Sequence, residues 1–284
     1  MKYCKVLIIL VSIQILILFS VNGQWVKTEH VTFAGVEAFS KVLQNSVFAV
    51  QVEGNQKNED KNDDWIVLGT GFFVRREDNV LLGVTCRHIV LKAKKEKKDI
   101  FIGFEHKKYG YIRLKCIVDF IDPEYDVAIL RPQKGRYHDI DNIGIESQAV
   151  DRELFGDKTH LVAGRGVLIP GYPLGLGVAY DKNHPVFRIG IIAQFTGGHS
   201  FLIDGNVSHG NSGSPVFCLQ TRRIVGVISS YKPDYIPLFN ENGYPAVKLP
   251  YNSGLARAIS IDIIGEILEK ADKEAKKQDT ADKK

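Results

Sequence analysis

Two series of short, strand-like segments dominate this sequence. Each segment is rich in β-branched or aromatic residues and is bounded by turn-forming residues. The first series consists of residues 46–53, 65–75, 80–86, 99–104, 111–120 and 126–130. The second series consists of residues 166–169, 186–195, 200–204, 214–219, 223–229 and 244–249. Strands at this spacing, with almost no helical periodicity between them, predict an all-β fold built as a sandwich or as a pair of barrels.

The segments outside the two series complete the predicted organisation. A polar stretch with weak periodicity, residues 131–160, is the expected junction between the series. We expect a short helix near residues 35–44 and a second from Ile261 to about Lys277, because apolar residues recur there at helical intervals. The tail, residues 269–284, carries both charge signs without an apolar stripe, so we expect it to fray into solvent.

The composition excludes several classes of protein. The chain has 284 residues, of which 44% are hydrophobic and 25% charged, so it is neither collagen-like, coiled-coil nor wholly disordered. The net charge of +4 becomes +2 when Lys2 and Lys5 are removed with the first 23 residues. Nucleic acid is therefore not the expected partner, because binding to a phosphate backbone requires a dense basic surface.

The first 23 residues have the pattern of a secretory signal peptide. Residues 1–5 are basic, residues 6–21 are an almost unbroken apolar run, and residues 21–23 offer small side chains to a signal peptidase. The alternative is an uncleaved anchor, but a run interrupted by Ser12 and Gln14 is shorter than the roughly 20 residues that cross a bilayer. We expect a secreted or periplasmic protein with no stable membrane insertion after cleavage.

Three cysteines follow the predicted signal peptide: Cys86, Cys116 and Cys218. An odd number leaves at least one thiol unpaired, and the sparse spacing is not that of a disulfide framework. Cys86 lies two residues before His88, and residues two apart share a face of a strand. A cysteine nucleophile paired with His88 is one interpretation, and a small buried side chain is the other.

The other histidines do not form a metal-binding pattern. There is no HExxH motif, and the residues concerned are dispersed: His106, His138, His160, His184, His199 and His209. We expect no metal ion and no cofactor. The run LKAKKEKK, residues 91–98, is expected to be a solvated surface loop rather than a site for an anionic partner, because Glu96 interrupts its charge.

A loop with the composition of a nucleophile turn spans residues 208–217, SHGNSGSPVF. A reactive serine must sit on a tight turn that also aims amide N–H groups at the oxygen that becomes negative during acyl transfer. Gly210 has no Cβ and can adopt the backbone conformations that point successive N–H groups the same way. The loop predicts Ser212 as the nucleophile and the N–H groups of Gly210 and Ser212 as the oxyanion hole, although such turns are common.

A general base and a carboxylate precede this loop. The segment LGVTCRHIV, residues 82–90, is an apolar strand that ends in His88, and in DPEYDVAIL, residues 122–130, Asp126 begins a buried strand. A carboxylate at such an edge must be hydrogen-bonded, and the Nδ1–H of a histidine is one suitable partner. Each residue alone also fits a structural role, but the order His88, Asp126, Ser212 is that of the chymotrypsin-type triad.

These motifs together resemble the trypsin-like serine endopeptidases, and within them the bacterial HtrA/Deg and V8-like branches. The resemblance covers residues 33–268. The HtrA-like features are FAGVEAFSKVLQNSVFAVQV, GTGFFV, VTCRHIV, YDVAIL, VLIPGYPLGLG and RIGIIAQF. The serine loop GNSGSPVF is similar to the V8 branch, because Ser214 stands where HtrA proteins usually have a second glycine.

The resemblance implies two perpendicular six-stranded antiparallel β-barrels with a cleft between them. The protease domain would span residues 24–268, with barrels at about 44–135 and 160–256. His88 and Asp126 would come from the first barrel and Ser212 from the second. Ser212 would attack the scissile carbonyl, His88 would take and return the proton, and Asp126 would fix the imidazole tautomer.

Two departures from the family pattern bear on activation and specificity. Residue 211 is Asn, not the Asp that accepts a freed N-terminal ammonium in trypsin, so activation by that ion pair is excluded. The family places pocket-lining residues at Val207 and about Ile228. The glutamyl branch has a histidine at the position that aligns with Ile228, and this chain does not. An ionised carboxylate between two apolar side chains lacks a partner, so we expect small or medium apolar residues before the cleaved bond.

The resemblance also leaves alternatives open. No PDZ-sized segment follows the last helix, so a stand-alone protease domain acting on protein or peptide substrates is expected. Residues 24–38, with Trp25 and Phe33, would either mediate homo-oligomerisation or cover the barrel. The alternative to an enzyme is a catalytically silent trypsin-fold binding or scaffold protein, because a fold alone does not give activity.

Overall fold

The computed structural model describes residues 6–11, 14–21, 24–27, 33–54, 65–76, 80–106, 109–133, 149–175, 184–239 and 245–281, with side chains from residue 40 onward except at 245–246 and 275–281. Residues 134–148, which include His138 and half of the expected junction, and the end of the VLIPGYPLGLG motif lie outside the described residues. The chain divides into two compact units, Met1–Lys41 and Val42–Lys284.

The first unit contains a three-stranded antiparallel sheet. Its strands are β1 (Val6–Val11), β2 (Gln14–Val21) and β3 (Gln24–Lys27), in the order β1-β2-β3. Helix α1 (Phe33–Ser46) begins in this unit and ends in the second. The apolar run of the predicted signal peptide forms β1 and β2, and its cleavage stays a prediction.

The second unit contains two closed, antiparallel six-stranded barrels, which confirms the predicted fold class. Barrel one is formed by β4 (Val47–Glu53), β5 (Trp65–Arg75), β6 (Leu81–Thr85), β7 (Ile100–His106), β8 (Gly110–Ile121) and β9 (Ala128–Pro132). Barrel two is formed by β10 (Gly166–Gly171), β11 (Val186–Phe195), β12 (Ser200–Asp204), β13 (Pro215–Cys218), β14 (Arg223–Phe239) and β15 (Pro245–Ser260). The strand orders are β4-β5-β6-β9-β8-β7 and β10-β11-β12-β15-β14-β13.

Each barrel closes around its own apolar core. In barrel one the rings of Phe48, Phe73 and Phe104 are fully or almost fully buried, with successive centroids 4.7 and 5.2 Å apart. Burying one such ring stabilises the fold by about 1.5–3 kcal/mol. Barrel two is filled by smaller aliphatic side chains around Phe201. The two barrels therefore pack separately, and residues of both line one cavity between them.

Three elements differ from the sequence-based expectations. His88 does not end a strand: β6 stops at Thr85, and His88 lies in the first turn of helix α2 (Arg87–Lys95). The run predicted as a surface loop is therefore largely helical, because Ile89, Val90 and Ala93 form a buried stripe at helical spacing. Asp126 does not begin a strand either, since β9 starts at Ala128.

The last helix, α3 (Ile261–Ala281), continues through the tail that we expected to fray. Its predicted apolar stripe, Ile263, Ile264, Ile267 and Leu268, is buried. The stripe extends to Ala271, and the buried carboxylate of Asp272 pairs with Arg152 at 3.2 Å. The helix is therefore anchored beyond residue 268. None of the helices among the described residues is long and apolar enough to span a membrane.

Candidate active site

His88 is held against Asp126 at two points. Its Nδ1 lies 2.8 Å from Oδ2 of Asp126, and its backbone N–H donates to Oδ1 at 2.9 Å. Helix α2 starts immediately after β6 and Cys86, and His88 and Ile89 of its first turn line the cavity. Half of the His88 side chain is exposed, against about a quarter of Asp126. The carboxylate therefore fixes both the imidazole ring and the start of the helix that carries it.

The turn that presents Asp126 is built by Asp122. The buried Oδ1 of Asp122 accepts hydrogen bonds from the backbone N–H groups of Glu124 and Tyr125 at 2.9 and 2.7 Å. Arg87 donates to the carbonyls of Asp122 and Pro123 at 3.0 and 2.6 Å. Aspartate favours such local turns because its short side chain reaches the amides that follow it. Asp126 is thus positioned by its own loop and by the first residue of α2.

Ser229 provides the third hydrogen bond to Asp126. Its Oγ donates to Oδ2 at 2.7 Å, from the end of the barrel portion of β14. Burial alone would raise the pKa of Asp126, but the hydrogen bonds from His88 and Ser229 outweigh burial and hold the pKa below its ordinary value. Asp126 is therefore a stable carboxylate, suited to orienting an imidazole and stabilising its charged form.

The serine loop is shaped by backbone hydrogen bonds. The N–H of Asn211 donates to the carbonyl of Ser208 at 3.1 Å, and the N–H of Ser214 donates to that of Asn211 at 2.9 Å. Gly210 and Gly213 have φ of +93° and +89°. A Cβ at Gly210 would overlap the carbonyl oxygen of Tyr172, and one at Gly213 that of Thr70. Both positions require glycine for conformation and for space.

The amide N–H groups of Gly210 and Ser212 are among those of this loop that have no partner in the described residues. The carbonyl of His209 accepts from the N–H of Leu174 at 2.6 Å. In a trans peptide the C=O and N–H point in opposite directions, so the N–H of Gly210 points away from Leu174. The N–H of Ser212 is likewise opposite the carbonyl of Asn211, which is held by Ser214. The loop leaves two donors free beside the Ser212 side chain.

Thr70, a residue that sequence reasoning did not single out, joins the loop to barrel one. Its hydroxyl donates to the carbonyl of Gly210 at 2.6 Å and accepts from the N–H of Tyr172 at 3.0 Å. Its own N–H donates to the carbonyl of Ser212 at 2.8 Å. Thr70 is fully buried. One residue of the first barrel therefore fixes the backbone on either side of Asn211.

The hydroxyl of Ser212 donates to the carbonyl of Ser229 at 3.2 Å. Within the described part of the chain, no hydrogen bond joins Ser212 to His88. Both side chains line the same cavity, of about 400 Å³, together with Asp126 and Ser229. Ser229 thus contacts Asp126 through its hydroxyl and Ser212 through its carbonyl. A sequence clue to Ser229 exists: it is the first polar residue after the apolar run of β14.

The pocket beside Ser212 contains the two residues that the sequence indicated. Val207 and Ile228 are buried in the cavity wall. His209 and Tyr231 line it as well, with the Tyr231 hydroxyl 3.3 Å from Nε2 of His209 and the rings edge to face at 5.4 Å. Sequence reasoning missed this aromatic pair. The pair bounds a pocket whose buried wall is apolar.

The three cysteines are buried and free. Cys86 Sγ donates to the carbonyl of Ile228 at 3.1 Å, and burial, with the nearby charge of Asp126, raises its pKa well above the ordinary value. Ligand atoms of Cys86, His88 and Asp126 lie within 4.8 Å of one another. A metal would require the Cys86 thiolate, which this environment disfavours, so the interpretation of Cys86 as a small buried side chain fits better than a nucleophile or a ligand.

The sequence pattern of a trypsin-like peptidase domain matches residues 69–227, more than half of the chain. The protein belongs to the trypsin-like peptidase family. Two solved structures share the fold of this peptidase domain. An HtrA-type protease, AlgW with a decapeptide, aligns at 14% identity and a TM-score of 0.53, covering 83% of this chain and 67% of that one.

Deg5 aligns with the trypsin-like peptidase at 17% identity and a TM-score of 0.52, covering 81% of this chain and 90% of that chain. Such identities show a common fold. The resemblance to the fold of HtrA/Deg-like proteins is thereby confirmed. No curated protein sequence matches the chain.

Proposed function

We propose that this trypsin-like peptidase is an exported serine endopeptidase that cleaves peptide bonds through an acyl-enzyme. The observation that carries the proposal is the hydrogen-bonded His88–Asp126–Ser229 network, which opens onto the same cavity as Ser212. A half-exposed imidazole fixed on a lowered-pKa carboxylate, next to a serine on a glycine turn, is the arrangement that nucleophilic acyl transfer needs.

In the proposed reaction, the Ser212 oxygen forms a bond to the scissile carbonyl carbon while His88 Nε2 takes the hydroxyl proton. The carbonyl oxygen becomes an anion and is stabilised by the free N–H groups of Gly210 and Ser212. Collapse of this intermediate breaks the carbon–nitrogen bond, and His88 returns the proton to the leaving amine. Water then repeats the sequence on the acyl-enzyme and releases the acid. Asp126 holds the imidazole in the required tautomer throughout.

The hydroxyl of Ser212 must first leave the carbonyl of Ser229. Rotation about χ1 moves Oγ between staggered positions, and a single hydrogen bond of this kind contributes only about 0.5–1.5 kcal/mol. The resting contact is therefore weak compared with the energy of binding a substrate.

The pocket wall supports a preference for small or medium apolar residues before the cleaved bond. Val207 and Ile228 would contact that side chain, and neither can compensate a charge. We expect the substrates of the proposed enzyme to be proteins or peptides. The structural relative AlgW, an HtrA-type protease solved with a decapeptide, supports this expectation. Export through cleavage of residues 1–23 belongs to the same proposal.

The competing function is a silent scaffold, and a serine-directed fluorophosphonate discriminates the two. Purified protein should be labelled covalently on Ser212 and should hydrolyse a peptide library with an apolar preference. Ser212→Ala should lose labelling and turnover, by roughly 10⁴- to 10⁶-fold in kcat. Iodoacetamide, which alkylates thiolates, is the control reagent. Treatment with iodoacetamide should leave activity unchanged, because Cys86 is buried and protonated. Absence of fluorophosphonate labelling on folded protein would favour the scaffold.

A further inference from the structure

Helix α2 carries a run of lysines beside the proposed catalytic cavity. Lys92, Lys94 and Lys95 lie in its last turn and are exposed. From the sequence we expected a solvated surface here, because Glu96 interrupts the charge of the run. In the structure, however, the carboxylate of Glu96 lies 3.7 Å from Nζ of Lys98. Glu96 is thus paired at the far end of the run, and the lysines of the helix keep their charge.

Two of these lysines share a helix face with His88. Residues four and seven positions apart lie on the same side of an α-helix, so His88, Lys92 and Lys95 form one row. The opposite side of α2 is its buried apolar stripe. Within the described part of the chain, neither Lys92 nor Lys95 has an ion-pair partner. We call these two residues the lysine row: two uncompensated cations that continue outward from the proposed general base.

Lys92 belongs to the cavity wall itself. It is the one lysine or arginine among the described residues that line the cavity. The carboxylate of Asp126, which lines the same cavity, is already engaged by His88 and Ser229. For a negatively charged group that enters this cavity, Lys92 is therefore the available cation. A charged run on a protein surface is ordinarily only a solvated face, but this run reaches into the proposed catalytic site.

The position of the lysine row relative to His88 decides which part of a substrate it meets. In the proposed reaction His88 protonates the leaving amine, which belongs to the residue after the cleaved bond. The side chain before the bond lies instead against the apolar wall of Val207 and Ile228. The row from His88 to Lys95 therefore lies beside the substrate segment that follows the cleaved bond.

We propose that the lysine row binds an acidic substrate segment on the C-terminal side of the cleaved bond. This inference rests on the proposed function, because that function fixes the bond at Ser212. From His88 to Lys95 the helix axis advances by about 10 Å, at about 1.5 Å per residue, which is the length of about three extended residues. The acidic residues recognised by Lys92 and Lys95 thus lie within about the first five after the bond.

The charge and the size of the lysine row favour an acidic polypeptide over a nucleic acid. A phosphate backbone is bound by many basic side chains spread over a dense surface, whereas two lysines match two or three carboxylates. Each exposed ion pair contributes at most about fivefold to affinity and is screened by salt. Two such pairs therefore predict an effect of about tenfold that disappears at high ionic strength.

The first experiment compares three fluorogenic peptides with the same residues around an alanine-preceded cleavage site. The first carries about four Asp and Glu residues after the bond, the second has Asn and Gln in their places, and the third carries the acidic residues before the bond. At low salt, kcat/KM for the first should exceed that for the second by about tenfold. The ratio should fall towards unity in 1 M NaCl, where the screening length is about 3 Å.

Two outcomes of this comparison would overturn the proposal. One is an equal kcat/KM for the acidic and the amide peptide at low salt. The other is an equal gain from acidic residues on either side of the bond, because the lysine row would then act only through the general charge of the protein.

Variants of the lysine row test the same ratio. Lys92→Gln/Lys95→Gln should bring it near unity, and a parental ratio in this variant would contradict the assignment. Lys248→Gln/Lys273→Gln is the matched control, because it removes two exposed lysines outside α2 and outside the cavity; it should keep the parental ratio. Lysines in the last turn also stabilise a helix, so each ratio compares two peptides on the same protein.

Binding to Ser212→Ala separates this inference from the proposed function. Fluorescence anisotropy of the labelled acidic and amide peptides on Ser212→Ala requires no turnover. Tighter binding of the acidic peptide, lost when Lys92→Gln and Lys95→Gln are added, supports the lysine row even if the parent hydrolyses neither peptide. Equal Kd values overturn it even if the parent cleaves both. Tighter binding of a single-stranded oligonucleotide of equal charge would also overturn it, because the occupant would then be a nucleic acid.

Discussion

The hydroxyl of Thr70 in barrel one donates a hydrogen bond to the carbonyl of Gly210 in the serine loop, at 2.6 Å. The same hydroxyl accepts from the N–H of Tyr172, so it joins two backbone segments of barrel two. A candidate oxyanion donor thereby depends on the other barrel for its position.

Thr70→Val should weaken both stability and activity. The substitution keeps the shape but removes the hydrogen bonds to the buried carbonyl of Gly210 and from the N–H of Tyr172, at a cost of about 1–3 kcal/mol each. Urea unfolding and peptide hydrolysis measure the two effects. Thr70→Ser retains the hydroxyl and should recover most of the loss in kcat; a Thr70→Val enzyme with parental kcat would contradict a positioning role.

Gly210→Ala should lower kcat about 10²- to 10³-fold, the range seen when one oxyanion donor is removed. Its Cβ would collide with the carbonyl oxygen of Tyr172 and displace the N–H. Gly197→Ala is the control, because Gly197 also has a positive φ, of +79°, but a Cβ there meets nothing within 4 Å. Similar kinetic losses in the two variants would show that backbone strain alone, and not the free N–H, is responsible.

The loss of the free energy of unfolding at acid pH should depend on Ser229. Because the folded-state pKa of Asp126 is lowered, its contribution to the free energy of unfolding is present above the ordinary carboxyl pKa of 3.8 and is lost as the pH falls through the lowered value. Ser229→Ala removes one hydrogen bond to the carboxylate and should shift this loss to higher pH. Urea midpoints measured between pH 2 and pH 6 test the shift, and superimposable profiles for parent and variant would refute it.

Tyr231 should restrict the residue before the cleaved bond. Its ring faces His209 at the cavity, so Tyr231→Ala should open the pocket and raise kcat/KM for substrates with large apolar residues relative to alanine. Tyr231→Phe keeps the ring and loses only the contact with His209 Nε2, so it should keep the parental preference. A peptide library profiled with both variants reads this out, and an unchanged profile for Tyr231→Ala would exclude the ring as a size filter.

The strands that close the barrels could be predicted from the sequence because their side chains are buried on a regular face. Residues 186–195 and 200–204 coincide with β11 and β12. The outer half of β14 and residues 250–260 of β15 could not, because Pro233, Pro237 and Pro250 weaken the strand pattern. Helix α2 was missed because most of its few residues are charged or exposed.

Some residues of the candidate site could likewise be predicted from the sequence, and others could not. His88, Asp126 and Ser212 carry a chemical signature in their residue types and order, which the sequence shows directly. Thr70 and Ser229 are small hydroxyl residues within or at the end of apolar strands, and their importance comes from backbone atoms that approach them from another part of the fold. The sequence marks Ser229 only as the first polar residue after an apolar run, and neither composition nor spacing predicts which backbone atoms approach it or Thr70.

The division of the site between the barrels also bears on biosynthesis. A nascent chain that has emerged only as far as barrel one already carries His88 and Asp126, but it lacks Ser212 and the strand that brings Ser229 to the carboxylate. Hydrolytic power of the proposed kind would thus arise only late in synthesis, after the chain has extended past β14. The order of the strands in the protein would thus protect the cell from proteolysis while the chain is being translated.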